Sequence, residues 1–116
     1  MQARVERVDD VIVVVLPGET LDASNAKEFK QGMTPLLNTQ ASKVVFDLQQ
    51  VQFVDSSGLG GLLSCLRQLT AVGGELKLCG MAKPVRDLFA LVRMDRIFDI
   101  FSTQADAIGA FQDKGQ

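Results

Sequence analysis

The stretch Val54-Asp55-Ser56-Ser57-Gly58-Leu59-Gly60-Gly61 sets one carboxylate, two hydroxyls and three glycines side by side, just ahead of a run rich in leucine. Asp and Ser are strong helix N-caps, because their side-chain oxygens accept the unpaired N–H groups of a first helical turn. Only one residue can be the cap, so the run is richer than capping requires. A hydroxyl on a glycine-loosened turn can also be presented to a kinase. Glycine costs about 1 kcal/mol relative to alanine in a helix interior, and less at a frayed end, so something must favour bare backbone here. Two readings stand: close approach by another protein, or close packing against the chain's own sheet or a local turn.

Other chemistries are poorly served. The chain has no histidine, which removes Ser-His-Asp and Cys-His arrangements and the commonest general base. Cys65 and Cys79 form no Cys-x-x-Cys pair. With no histidine to complete a zinc site, both read as small core hydrophobes in a reducing compartment. Gly58-Leu59-Gly60 starts like a dinucleotide fingerprint, but Leu63 stands where the third glycine belongs. There is no phosphate-binding loop ending in Gly-Lys-Ser/Thr, and no Gly-x-Ser-x-Gly elbow. Asp47 and Asp55, eight residues apart with a loop between, could form a carboxylate pair, although solvated or capping roles suit them better. No catalytic residue, cofactor or metal is assigned, and the chain does not read as an enzyme.

The chain has 116 residues, 47% of them hydrophobic and 22% charged, with net charge −2. That is one soluble domain, large enough to bury roughly two-thirds of its unfolded surface without a metal or disulfide. With neither Trp nor Tyr and no run of like charge, direct nucleic-acid binding is not expected. The longest apolar run, Val11 to Leu16, is far short of the roughly 20 residues a membrane span needs. The first residues have no apolar core of a signal peptide. A cytoplasmic location follows as the expectation.

The elements that must position the serine segment can be read in order. Ala3 to Val8 is an edge strand, and Asp9-Asp10 a tight turn. Val11 to Leu16, β-branched at five of six positions, is a strand buried on both faces. Asp22 is placed to N-cap a helix over about 23–37, with Ala26, Phe29, Met33, Leu36 and Leu37 on one face. Pro35 should break or kink that helix near Met33-Thr34, with Thr34 capping a last short turn. Val44 to Leu48 is a third strand. Ser57 to Val72 is an amphipathic helix with the stripe Leu59, Leu62, Leu63, Leu66 and Leu69, stopped by Gly73-Gly74. Glu75 to Cys79 alternates as a fourth strand. Pro84 opens a helix striped by Val85, Leu88, Phe89 and Val92, and 97–101 is a fifth strand. Thr103 and Asp106 make a capping-box pattern for a last helix to about Phe111, followed by a frayed tail. The order ββαβαβαβα predicts an α/β domain over 1–112: a mixed, mostly parallel sheet, an N-terminal β-hairpin and about four helices, with 113–116 as tail.

On these residues a family resemblance rests. Asp55-Ser56-Ser57-Gly58-Leu59-Gly60 resembles the signature of the anti-sigma factor antagonists, whose domain is called STAS. Gly18-Glu19-Thr20-Leu21-Asp22-Ala23 resembles the family's segment after the second strand, and Gly73 to Gly80 its glycine-led fourth strand. Pro84-Val85-Arg86 through Phe101 resembles its third helix and last strand. One departure is Arg93, where relatives often carry glycine. The resemblance implies that Ser56, directly after the motif aspartate, is phosphorylated by a partner serine kinase that is also the anti-sigma factor. It implies that the unphosphorylated form binds that partner and releases a sigma factor, and that a serine phosphatase resets the cycle. Asp22, Asp55, Ser57, Gly58, Leu59 and Gly60 become candidates for the contact surface. Two other classes compete: a constitutive STAS accessory subunit of a membrane transport complex, and a small nucleotide-binding protein or enzyme using Asp22, Asp47 or Asp55.

Overall fold

A computed structural model describes residues 3–37 and 43–113. Strands β1 (Arg4–Val8) and β2 (Val11–Val15) are followed by β3 (Thr20–Leu21), α1 (Ala26–Leu37), β4 (Lys43–Asp47) and β5 (Phe53–Val54). Then come α2 (Ser56–Ala71), β6 (Glu75–Cys79), α3 (Lys83–Leu91), a 3-10 turn (Met94–Arg96), β7 (Asp99–Phe101) and α4 (Gln104–Asp113). The main sheet runs β1-β2-β4-β6-β7, and β3 pairs with β5 in a separate two-stranded piece. Among the described residues only the β1–β2 pairing is antiparallel. The expected hairpin-led, mostly parallel α/β architecture with four helices is the one observed.

Strand β2 is buried at all five positions, as a run of β-branched residues without polar alternation demands. Its neighbours sort by parity. Ile12, Val14 and Leu16 join Phe46, Leu78 and the inner faces of α1, α2 and α3 in one core. Val11 and Val13 join Val45, Cys79, Ala107 and Phe111 of α4 in the other. One helix therefore covers one face of the sheet and three cover the opposite face. Lys77 lies under the single helix at 3% exposure, its Nζ 3.1 Å from Asp99 Oδ2 and 4.6 Å above the Phe111 ring. The alternation of β6 gives no sign of this, since lysine in an alternating strand ordinarily faces water. The two thiols fall in opposite cores, and burial pushes both up to about 12, so both are protonated at neutral pH.

Several boundaries differ from the sequence reading. Helix α1 starts at Ala26, preceded by a turn that Asp22 organises. Helix α2 runs from Ser56 to Ala71; just beyond it Gly73 stands at φ +82, and its N–H and that of Gly74 reach back to the carbonyls of Thr70 and Leu69. This is a Schellman closure. Pro35 does not break α1, which continues to Leu37. Proline there lies exposed in the last turn, where the lost bond is one of few remaining, and burial of Met33 and Leu37 on either side holds the turn. Thr34 does not cap; its Oγ1 donates to the Lys30 carbonyl at 2.9 Å. The last strand is shorter than expected, because 94–96 form a 3-10 turn and leave Ile97 exposed outside it. Gln112 and Asp113 belong to α4; residues 114–116 of the expected frayed tail lie outside the described residues.

Arg93 adopts the left-handed conformation, φ +66 and ψ +19, at the entry to the 3-10 turn. A β-carbon there costs roughly 1–2 kcal/mol, partly offset by the smaller entropy of an unfolded non-glycine chain. Arg93→Gly should therefore stabilise the domain by about 0.5–1 kcal/mol, read as a rise in denaturant midpoint at unchanged slope. A fall would show that the arginine side chain contributes packing that outweighs the strain.

Candidate functional site

Two segments converge at the N-terminus of α2. Backbone pairing of Thr20-Leu21 with Phe53-Val54 brings the loop after β3 alongside the start of the helix. Asp55 is the N-cap, in extended conformation. Its Oδ1 accepts the Gly58 N–H at 2.9 Å, its carbonyl accepts the Leu59 N–H, and its own N–H donates to the Leu21 carbonyl. Its second carboxylate oxygen accepts the Ala23 N–H at 3.1 Å, across 32 residues of sequence. One side chain thus caps α2 and ties down the entry to α1.

The other side of that junction is equally fixed. Asp22 Oδ1 accepts both the Ser24 N–H at 3.0 Å and the Ser24 hydroxyl, and these two bonds hold its carboxyl below the ordinary carboxylate range. The Asp22 N–H donates to Asn25 Oδ1, and Asn25 Nδ2 donates to the Thr20 carbonyl at 2.8 Å. Asn25 was not singled out from sequence, although Asn three residues after Asp in a turn is a known local bonding pattern.

With Asp55 as cap, neither serine is needed for capping. Ser56 and Ser57 are the first two residues of α2 and both are exposed. Among the described residues no hydrogen bond engages either hydroxyl. The three glycines stand in three different surroundings. A Cβ on Gly58 would lie 2.0 Å from the Leu21 carbonyl oxygen, so helix and β3 touch backbone to backbone. A Cβ on Gly61 would meet the Phe29 ring at 3.4 Å, on the α1 side. Gly60 is exposed and faces open space. Close packing explains the first, and the second lines the contact with α1; nothing within the domain requires the Gly60 glycine.

The sequence-derived residues therefore divide. Asp22 and Asp55 form the base of the site. Gly58 is buried, and Leu59, at 8% exposure, points into the core. Ser56, Ser57 and Gly60 make the outward surface. Phe53, two residues before the cap, adds an exposed ring at 53%; a two-residue strand offers no alternation from which that exposure could be read. Asp47 is not brought together with Asp55 as a working pair. It is buried at 3% exposure, and its two oxygens accept from the Gln49 N–H and the Gln104 side chain. These groups line a cavity of about 340 Å³ at the start of α4. Among the described residues no group of His, Cys, Asp and Glu is placed to hold a metal ion, and no helix is long and apolar enough to cross a membrane.

Comparison with known proteins gives the family and the fold. The STAS domain profile matches residues 2–107. The anti-sigma F factor antagonist of Paenibacillus polymyxa is 29% identical over 109 residues, covering 93% of this chain and 92% of that protein. The crystal structure of an anti-sigma factor antagonist from Mycobacterium paratuberculosis superposes with TM-score 0.83 at 26% identity, covering 94% of this chain and 92% of the other. SpoIIAA in its unphosphorylated form shares the fold, with TM-score 0.70 at 22% identity over 96% of this chain and 98% of that one. The profile match over nearly the whole chain places this protein in the STAS domain family.

Proposed function

We propose that this protein is an anti-sigma factor antagonist. Its unphosphorylated form docks the exposed first turn of α2 on an anti-sigma factor that is also a serine kinase, and so releases a sigma factor in the cytoplasm. Phosphorylation of Ser56 turns that binding off, and a serine phosphatase restores it. The observation that carries the reading is the division of labour at the helix start: Asp55 is fully used as cap and strut, while the next side chain, Ser56, is exposed and unengaged. Ser57, Gly60 and Phe53 surround it as the contact surface, with Asp22, Gly58 and Leu59 supporting that surface from below. The regulatory role of the relatives' names, together with a chain lacking histidine, favours a binding protein over a catalyst.

Affinity purification of the tagged protein from its native host, with phosphosite mapping of the bait, tests the reading. The expected result is a kinase-type partner retained by the unmodified protein, and phosphate on Ser56 only. Ser56→Ala should retain the partner and take up no phosphate from it. Recovery of a membrane transport ATPase with an unmodified bait would replace the proposal with the accessory-subunit reading.

Gly60 separates folding from docking. Gly60→Ala adds a methyl group to open space and gains helix propensity, so it should stabilise the isolated domain by up to about 1 kcal/mol. The same methyl, crowding a surface shaped for bare backbone, should weaken partner affinity about fivefold or more. Thermal melts and titration calorimetry on one sample check both signs, and unchanged affinity would remove Gly60 from the contact surface.

A further inference from the structure

We propose that β1 is a self-recognition edge, through which two copies of this chain pair antiparallel about a two-fold axis at Val5. Strand β1 is the outermost strand of the main sheet, paired on one side only, and all five of its residues are exposed. Edge strands of this kind present unpaired backbone donors and acceptors to any strand that fits.

Hairpin geometry fixes which groups face outward. Val8 and Val11 close a two-residue turn, and the closing pair of such a hairpin exchanges both its backbone hydrogen bonds. Alternation then directs the backbone groups of Arg4 and Glu6 to β2 as well. Val5 and Arg7 turn their N–H and C=O groups to the open edge.

Charge then selects the register. A two-fold axis normal to the sheet keeps each face continuous and must pass through one residue of β1. An axis at Glu6 sets carboxylate against carboxylate, and an axis at Arg4 or Arg7 sets guanidinium against guanidinium; like charges directly opposite are destabilising. An axis at Val8 sets Glu6 and Arg7 against the Asp9-Asp10 turn of the other copy, where the extended edge has ended. An axis at Val5 pairs Val5 with Val5 of the second copy. It also sets each Arg4 opposite a Glu6 of the other copy, twice over. Arg4 and Glu6 already reach one another along this face, Nε to Oε1 at 3.1 Å, with side chains 66% and 45% exposed. The same three charges that discourage indiscriminate edge pairing thus admit one partner strand, a second β1. About this axis β1 overlaps its copy over three residues a side, Arg4 to Glu6, with Arg7 opposite Ala3; so small a pairing makes the association weak and concentration-dependent, with Kd on the order of 100 µM.

Sedimentation velocity on the full chain, from low micromolar to millimolar concentration, tests this. The wild type should shift from monomer to dimer across that range, and the dimer should weaken as salt is raised. Glu6→Arg, an exposed substitution that leaves β1–β2 backbone bonds in place, should remain monomeric, with the dimer at least tenfold weaker. The double swap R4E/E6R restores opposite charges across the axis and should recover the dimer. A wild type monomeric at every concentration overturns the proposal. So does a dimer that E6R leaves intact, or a double swap that stays monomeric.

Discussion

Ser56→Asp should weaken binding to the proposed anti-sigma partner by about 30-fold or more, and phosphorylation should carry the loss toward several thousand-fold. The basis is desolvation. A phosphoserine carries about −1.5 to −2 charges at neutral pH, and burying one such charge unpaired in an interface costs about 2–5 kcal/mol. Within the free domain the same charge is tolerated. Ser56 is exposed at the N-terminus of α2, where unpaired N–H groups and the helix dipole favour anions. Asp55, one residue before it, adds negative charge and increases the penalty once water is excluded. Titration calorimetry with the purified partner reads the affinities, and far-UV circular dichroism of the free protein should be unchanged. Equal binding by Ser56→Ala and Ser56→Asp would sink the electrostatic account, and a large loss of helix on modification would sink its rigid-fold half.

Gly58→Ala should be the most damaging single-methyl change in the serine segment, destabilising the domain by about 3 kcal/mol. The ideal Cβ falls 2.0 Å from the Leu21 carbonyl oxygen and 2.8 Å from its carbon, and these are backbone atoms that cannot rotate away. Overpacking typically costs 1–3 kcal/mol, and the helix propensity of alanine returns about 1 at most; a backbone overlap this deep belongs at or beyond the top of that range. For a domain of this size that is a fall in Tm of about 12 °C. The contrast with Gly60→Ala, two residues on and expected to stabilise, makes the pair diagnostic. A Gly58→Ala melt within a degree or two of wild type would mean that α2 can slide away from β3 at little cost.

That contrast also marks where sequence reading reaches its limit. The run Val11 to Leu16, the leucine stripe of α2 and the Gly73-Gly74 stop were legible because each is a local pattern whose physical cause lies within a few residues. Gly58, Gly60 and Gly61 carry the same letter, yet one abuts the Leu21 carbonyl, one faces open space and one lines the Phe29 ring. Their difference is set by chain more than 30 residues away. Strands β3 and β5 were missed for a related reason: two residues each hold no period, and only their mutual pairing makes them strands. Pro35 does not end α1, because helix-breaking is costly in an interior and cheap in an exposed last turn anchored by Leu37. The motif aspartate was legible as a cap, but its grip on Ala23 was not.

That grip has a consequence for how a signal would be stored. Because a single carboxylate clasps Gly58 on one side and Ala23 on the other, the turn bearing Ser56 and the loop bearing Asp22 are braced against each other. On the reading proposed above, the mark written on Ser56 finds no lever to pull. The protein becomes a stamped token rather than a spring: nothing inside it relaxes with time, and the message lasts until a hydrolase erases the ink.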